Sequence, residues 1–69
     1  MYLNLKTEMN RADVSIGDIA EILHIHRNSA SAKVNGDTSF TIEEAFALRD
    51  AKFPYTSAEY LFKRYKSDS

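Results

Sequence analysis

Apolar residues in this 69-residue chain recur at spacings of three and four from Tyr2 to Tyr65, and no stretch alternates with period two over the length of a strand. That regularity restricts the fold to helices, because side chains share a face about every 3.6 residues in a helix and every second residue in a strand. Tyr2, Leu5, Met9 and Ala12 form the first stripe and predict a helix from about Asn4 to Ala12, ended by Asp13 and Val14. Ser15 and Asp18 are a capping pair. Behind them Ile16, Ile19, Ala20 and Leu23 repeat at i, i+3, i+4 and i+7, so a second helix is expected over 16–23. A third, over 27–35, has only Ala30 and Val34 on its inward side and is stopped by Asn35-Gly36. Thr41 and Glu44 cap a fourth, with Ile42, Ala45, Phe46 and Leu48 as its stripe and Pro54 stopping it near Phe53. Ser57 caps a fifth, carrying Ala58, Leu61, Phe62 and Tyr65. The expected fold is all-α: five short helices packed as one compact domain over residues 1–66, with 67–69 as a disordered tail.

The core expected from these stripes contains Leu5, Met9, Ile19, Ala20, Leu23, Ile25, Ala30, Val34, Phe40, Ala45, Leu48, Leu61 and Phe62, with Phe46 and Phe53 as further inward aromatics. A chain that is 43% hydrophobic and 28% charged has the balance of one globular domain. At this size it buries only about 60% of the surface its unfolded chain exposes, so a substrate cavity would consume the core. No enzyme is expected. Glu43 and Glu44 are adjacent and point about 100° apart on a helix, and Glu44 already caps, so they are not an acid–base pair. There is no cysteine, and His24-x-His26 lacks a third ligand, so neither a metal nor another cofactor is expected. No apolar run is long enough to span a membrane and no basic leader precedes one, which predicts a soluble cytoplasmic protein without membrane contact. The net charge of −1 argues against a polyanion binder that works by overall charge.

Local charge differs. Between Glu21 and Asp37 there is no acid, and Arg27 and Lys33 give the stretch HIHRNSASAKVNG, residues 24–36, a charge of about +2 before either histidine is protonated. A short helix with a thin buried seam and a polar, acid-free outer face, joined to the preceding helix by about three residues, has the shape of the second helix of a helix-turn-helix, which enters the major groove of DNA.

SIGDIAEIL, HIHRNSASAKVNG, SFTIEEAFAL and SAEYLF resemble, in this order and spacing, the lambda-repressor-like helix-turn-helix family of the Xre and Cro type, over roughly Asn4 to Phe62. The resemblance rests on Ile19, Ala20, Leu23, Ile25, Ala30, Val34, Asn35 and Gly36 and on the following Phe40-Thr41 cap. It implies a small phage repressor of the Cro or lysogeny type, binding operator DNA as a homodimer in the cytoplasm of a bacterial host. It implies that Arg27, Asn28, Ser31 and Ala32 face base edges. Arginine and asparagine can each make two hydrogen bonds to one base. Ser15, His26, Ser29, Lys33, Thr38, Ser39 and Thr41 are implied to lie near the DNA backbone. Where the family carries glycine, His24 is expected in a left-handed conformation; where it carries a capping serine, His26 must cap with a ring nitrogen or contact phosphate. Tyr55, Tyr60 and Tyr65, with Lys63, Arg64 and Lys66, make an amphipathic C-terminal end that could be a dimer seam, a partner surface or a loose solvated tail. The near-neutral charge, Asp37 and the short side chains at 29–32 keep a second function open, that of an antirepressor that binds another phage repressor protein.

Overall fold

A computed structural model describes residues 2–65; Lys66 and the tail 67–69 lie outside the described residues. The helices are α1 (Leu3–Ala12), α2 (Ile16–Leu23), α3 (Arg27–Asn35), α4 (Ile42–Lys52) and α5 (Ala58–Leu61), and no strand occurs among the described residues. The expected all-α, five-helix architecture is thus present, and it is consistent with a small helix-turn-helix domain.

The local signals act as their chemistry requires. Ser15 Oγ accepts from the Asp18 N–H at 3.1 Å while Asp18 Oδ2 accepts from the Ser15 N–H at 2.9 Å. Thr41 and Glu44 repeat the arrangement at 3.1 and 2.9 Å. Each box satisfies two N–H groups that the first turn leaves without helical partners. Three helices end alike. Asp13 and His24, both at φ 56°, and Gly36, at φ 89°, are left-handed. The N–H of the next residue then reaches back five positions: Val14 to Met9 O at 2.9 Å, Ile25 to Ala20 O at 3.0 Å and Asp37 to Ala32 O at 2.9 Å. Val14 and Ile25 turn inward as they leave, which couples the stop signal to the core. His24 sits in the left-handed conformation expected of it, where a β-carbon is crowded by about 1 kcal/mol.

α2 packs on α3 and α4, while α5 packs on α1 and α4. Leu5, Ile19, Leu48, Phe53 and Leu61 are completely buried at the centre. Tyr2, Phe40 and Phe62 meet edge to face, with ring centroids 5.0 to 6.1 Å apart, and close one side of it. Three assignments of apolar residues are corrected. Ala12 is exposed at the end of α1. Ile42 is 75% exposed and Phe46 46%. Leu48 faces the core, and Phe46, two positions before it, turns about 200° away on the helix, so the two cannot share a face. The Arg49 guanidinium lies over the Phe46 ring at 5.5 Å and partly covers it.

One charged residue is unexpectedly inside. Glu8 is 3% exposed, three positions after Leu5, and its carboxylate accepts from Tyr60 Oη at 3.1 Å, Tyr55 Oη at 3.4 Å and Arg11 Nη1 at 3.5 Å. A buried carboxylate needs such donors. The bond to Glu8 is also what pushes the Tyr60 phenol above its ordinary value.

The two capping acids make stability fall in acid. The backbone N–H of Thr41 holds the Glu44 carboxyl below its ordinary value of 4.5, and that of Ser15 holds Asp18 below 3.8. Folded values lower than unfolded ones contribute stability that is complete above the unfolded values and disappears as pH falls through the folded ones. The melting temperature should therefore hold down to about pH 5 and drop below about pH 4. Glu44→Gln should shrink that drop; an unchanged acid limb in this variant would show that the box does not contribute to it.

Candidate nucleic-acid interface

The turn from α2 to α3 consists of His24, Ile25 and His26. Left-handed His24 reverses the chain, Ile25 drops into the core, and His26 starts α3 with its Nδ1 accepting from the Asn28 N–H at 3.1 Å. Nδ1 is therefore the unprotonated nitrogen and Nε2 carries the proton, available to an outside acceptor. His26→Ala should cost about 1 kcal/mol of stability, the net worth of one such bond, and His26→Ser should restore it, both read by chemical denaturation. Equal stability of the alanine and native forms would mean the imidazole is not the cap.

α3 rests on α2 through Ala30 and Val34, both buried. The small side chain of Ala30 lets the two helices approach. Arg27, Asn28 and Ser29 are exposed on the first turn. Helical spacing sets Arg27, Ser31 and Asn35 in one row and Asn28 with Ala32 in the next. Ser31 and Ala32 are half-buried, and Ser31 Oγ accepts from Asn35 Nδ2 at 3.4 Å. The exposed amide of Asn35, which the sequence presented only as a stop signal, extends the first row and has the donor and acceptor an adenine edge requires.

The residues expected near a DNA backbone divide into two groups. Ser15, His26 and Ser29 lie at or near the starts of α2 and α3, and all three are exposed. Thr38, Ser39 and Thr41 are exposed in the segment between α3 and α4. Lys33 is drawn inward. Its Nζ lies 3.0 Å from Glu44 Oε1 and 3.1 Å from the Ser39 carbonyl, with only 16% of its side chain exposed. It ties α3 to the cap of α4. Tyr55 and Tyr60 keep exposed rings while their hydroxyls hold Glu8, and Tyr65 Oη donates to Asn4 Oδ1 at 3.2 Å. These three bonds tie residues 55–65 to α1, and the rings of Tyr55 and Tyr60 leave a partly apolar outer surface there. Among the described residues no three histidine or acidic side chains converge as metal ligands, and no helix is long and apolar enough to cross a membrane.

Over 36 residues, 52% of its length, the chain is 50% identical to a protein of Escherichia coli strain K12 named Uncharacterized HTH-type transcriptional regulator YbaQ. The identity is the same to the protein of that name in E. coli O6:H1 strain CFT073. The match covers 32% of each of these relatives, so this chain aligns with about a third of their length. No family model matches the chain, and no solved structure does.

Proposed function

We propose that this chain is a sequence-specific DNA-binding transcriptional repressor of the small phage Cro or lysogeny-repressor type. It lays α3 in the major groove of operator DNA and acts as a homodimer, without catalysis. The observation that carries this reading is the α2–α3 pair itself. Its three-residue turn, small-residue contact at Ala30 and short outer face hold Arg27 and Asn28 exposed on the first turn, in a stretch free of acids. The name of the E. coli relatives, a transcriptional regulator of helix-turn-helix type, supports the DNA-binding part. In this reading Arg27 and Asn28 read bases, with Ser31 and Ala32 beside them. Ser15, His26, Ser29, Thr38, Ser39 and Thr41 lie along the backbone. A second copy on a near-palindromic site supplies the affinity that one small module lacks.

Selection of bound duplexes from a random library, followed by binding of the enriched site across a salt series, tests the proposal. Enrichment of a two-fold symmetric site whose affinity falls steeply with salt supports it. No enrichment and no binding at low salt would overturn it.

One observation favours a second reading, the antirepressor. Ile42 and Phe46 present an exposed apolar pair on α4, of the kind that protein contacts cover. Under that reading the chain captures another repressor protein in place of DNA, and Phe46→Ser abolishes capture.

A further inference from the structure

We propose that Arg64, in the segment after α5, is a DNA-backbone anchor at the C-terminal end of α3, forming with the Ser39 hydroxyl a cradle for one phosphodiester. The inference rests on the DNA-binding reading above.

A helix lying in a major groove has phosphates of both strands along its flanks, and each end needs donors that hold them. α3 has nine residues, a length of roughly 13 Å at about 1.5 Å per residue, close to the ~12 Å width of the groove. Its N-terminal end has Arg27 and the Nε2–H of His26. Its C-terminal end has no such provision of its own. Lys33 is paired with Glu44, and residues 36–41 contain no cation and one acid, Asp37.

Arg64 supplies the charge from 28 positions further along. Its Nη2 donates to the Gly36 carbonyl at 2.7 Å and its Nη1 to Ser39 Oγ at 3.1 Å, while the guanidinium lies 5.3 Å from the centre of the Tyr2 ring. The plane is thus fixed by two bonds and a ring face. These bonds use two of the five N–H donors of an exposed residue. Because Ser39 Oγ accepts from Arg64, its own proton is directed elsewhere. One phosphate oxygen can then take a guanidinium N–H and the serine O–H together, a charge-assisted pair. Asp37 stands in the same loop.

The test is anisotropy binding of a labelled mixed-sequence duplex by the full chain between 50 and 200 mM salt, for the native protein, Arg64→Ala, Arg64→Lys and Lys33→Ala, with thermal melts of each. One lost phosphate contact lowers the slope of log affinity against log salt by about 0.9 per bound copy and weakens binding roughly five- to tenfold near 0.1 M salt. That is expected for Arg64→Ala, with the slope retained in Arg64→Lys, which keeps the charge, and in Lys33→Ala, whose charge is already paired. Native binding with an unchanged slope in Arg64→Ala overturns the anchor and leaves the DNA reading standing. So does an equal loss in both Arg64 variants that follows only their melting temperatures, since Arg64 would then be a strap for the loop. Failure of the native protein to bind any duplex at 50 mM salt overturns both.

Discussion

Phe53→Ala is expected to leave the chain largely unfolded in plain buffer. Phe53 ends α4 and is completely buried in one core with Leu5, Ile19, Leu48 and Leu61, the other large side chains with no exposed surface. Its N–H closes the last turn of α4 on the Arg49 carbonyl at 2.8 Å, and its ring meets Tyr55 edge to face at 6.5 Å. Removing a buried phenyl ring forfeits its transfer free energy and leaves a cavity that neighbours only partly fill, about 3–5 kcal/mol together. A core of this size supplies about the same in total. Circular dichroism should show a loss of helix at room temperature, or a melting temperature lower by more than about 12 °C. Phe53→Leu should retain the fold. A melt of Phe53→Ala within a few degrees of the native one would show that the helices do not converge on this ring.

Arg27→Ala and Asn28→Ala should each weaken binding to the selected site by about 1–3 kcal/mol, roughly 5- to 150-fold, with little effect on unrelated duplexes. Both side chains are exposed on the first turn of α3, so their removal is expected to leave the fold intact. Each variant should flatten preference at one base pair per half-site, guanine for arginine and adenine for asparagine. If Arg27→Ala loses affinity equally on every sequence, Arg27 meets phosphate and the helix is not inserted by this end.

The helices were legible because their signals are local. Ser15 with Asp18 and Thr41 with Glu44 act across three residues, and a hydrogen bond between such neighbours depends on no distant part of the chain. His24 and His26 were legible through the conformations the turn demands, one left-handed and one capping. What the spacing could not rank is which of two apolar rows on one helix faces inward. On α4, Ile42 and Phe46 form one row and Ala45 and Leu48 another; the core takes up only the second, and that choice is made by tertiary packing. Burial of Glu8 was hidden for a similar reason, since its donors Tyr55 and Tyr60 come from 47 and 52 residues away. At the interface the exposed start of α3 follows from the sequence, whereas the fate of each cation does not. Lys33 and Arg64 look alike in charge pattern, yet one meets Glu44 and the other reaches the loop after α3.

The clasp between the chain ends bears on how the molecule assembles. α5 has four residues, far fewer than a helix needs to persist alone in water. It is held by Asn4 Nδ2 on the Tyr60 carbonyl at 2.8 Å, by the Tyr60 hydroxyl on Glu8 and by Leu61 in the core. Its formation therefore waits on α1 and closes a loop of nearly the whole chain, whereas the α2–α3 hairpin closes over three residues. The hairpin is expected to form before the ends join, because short closures lose less chain entropy than long ones. The same order runs in reverse when the domain opens. The ends are expected to part first, carrying Arg64 with them, while His24 and Ala30 still hold α3 against α2.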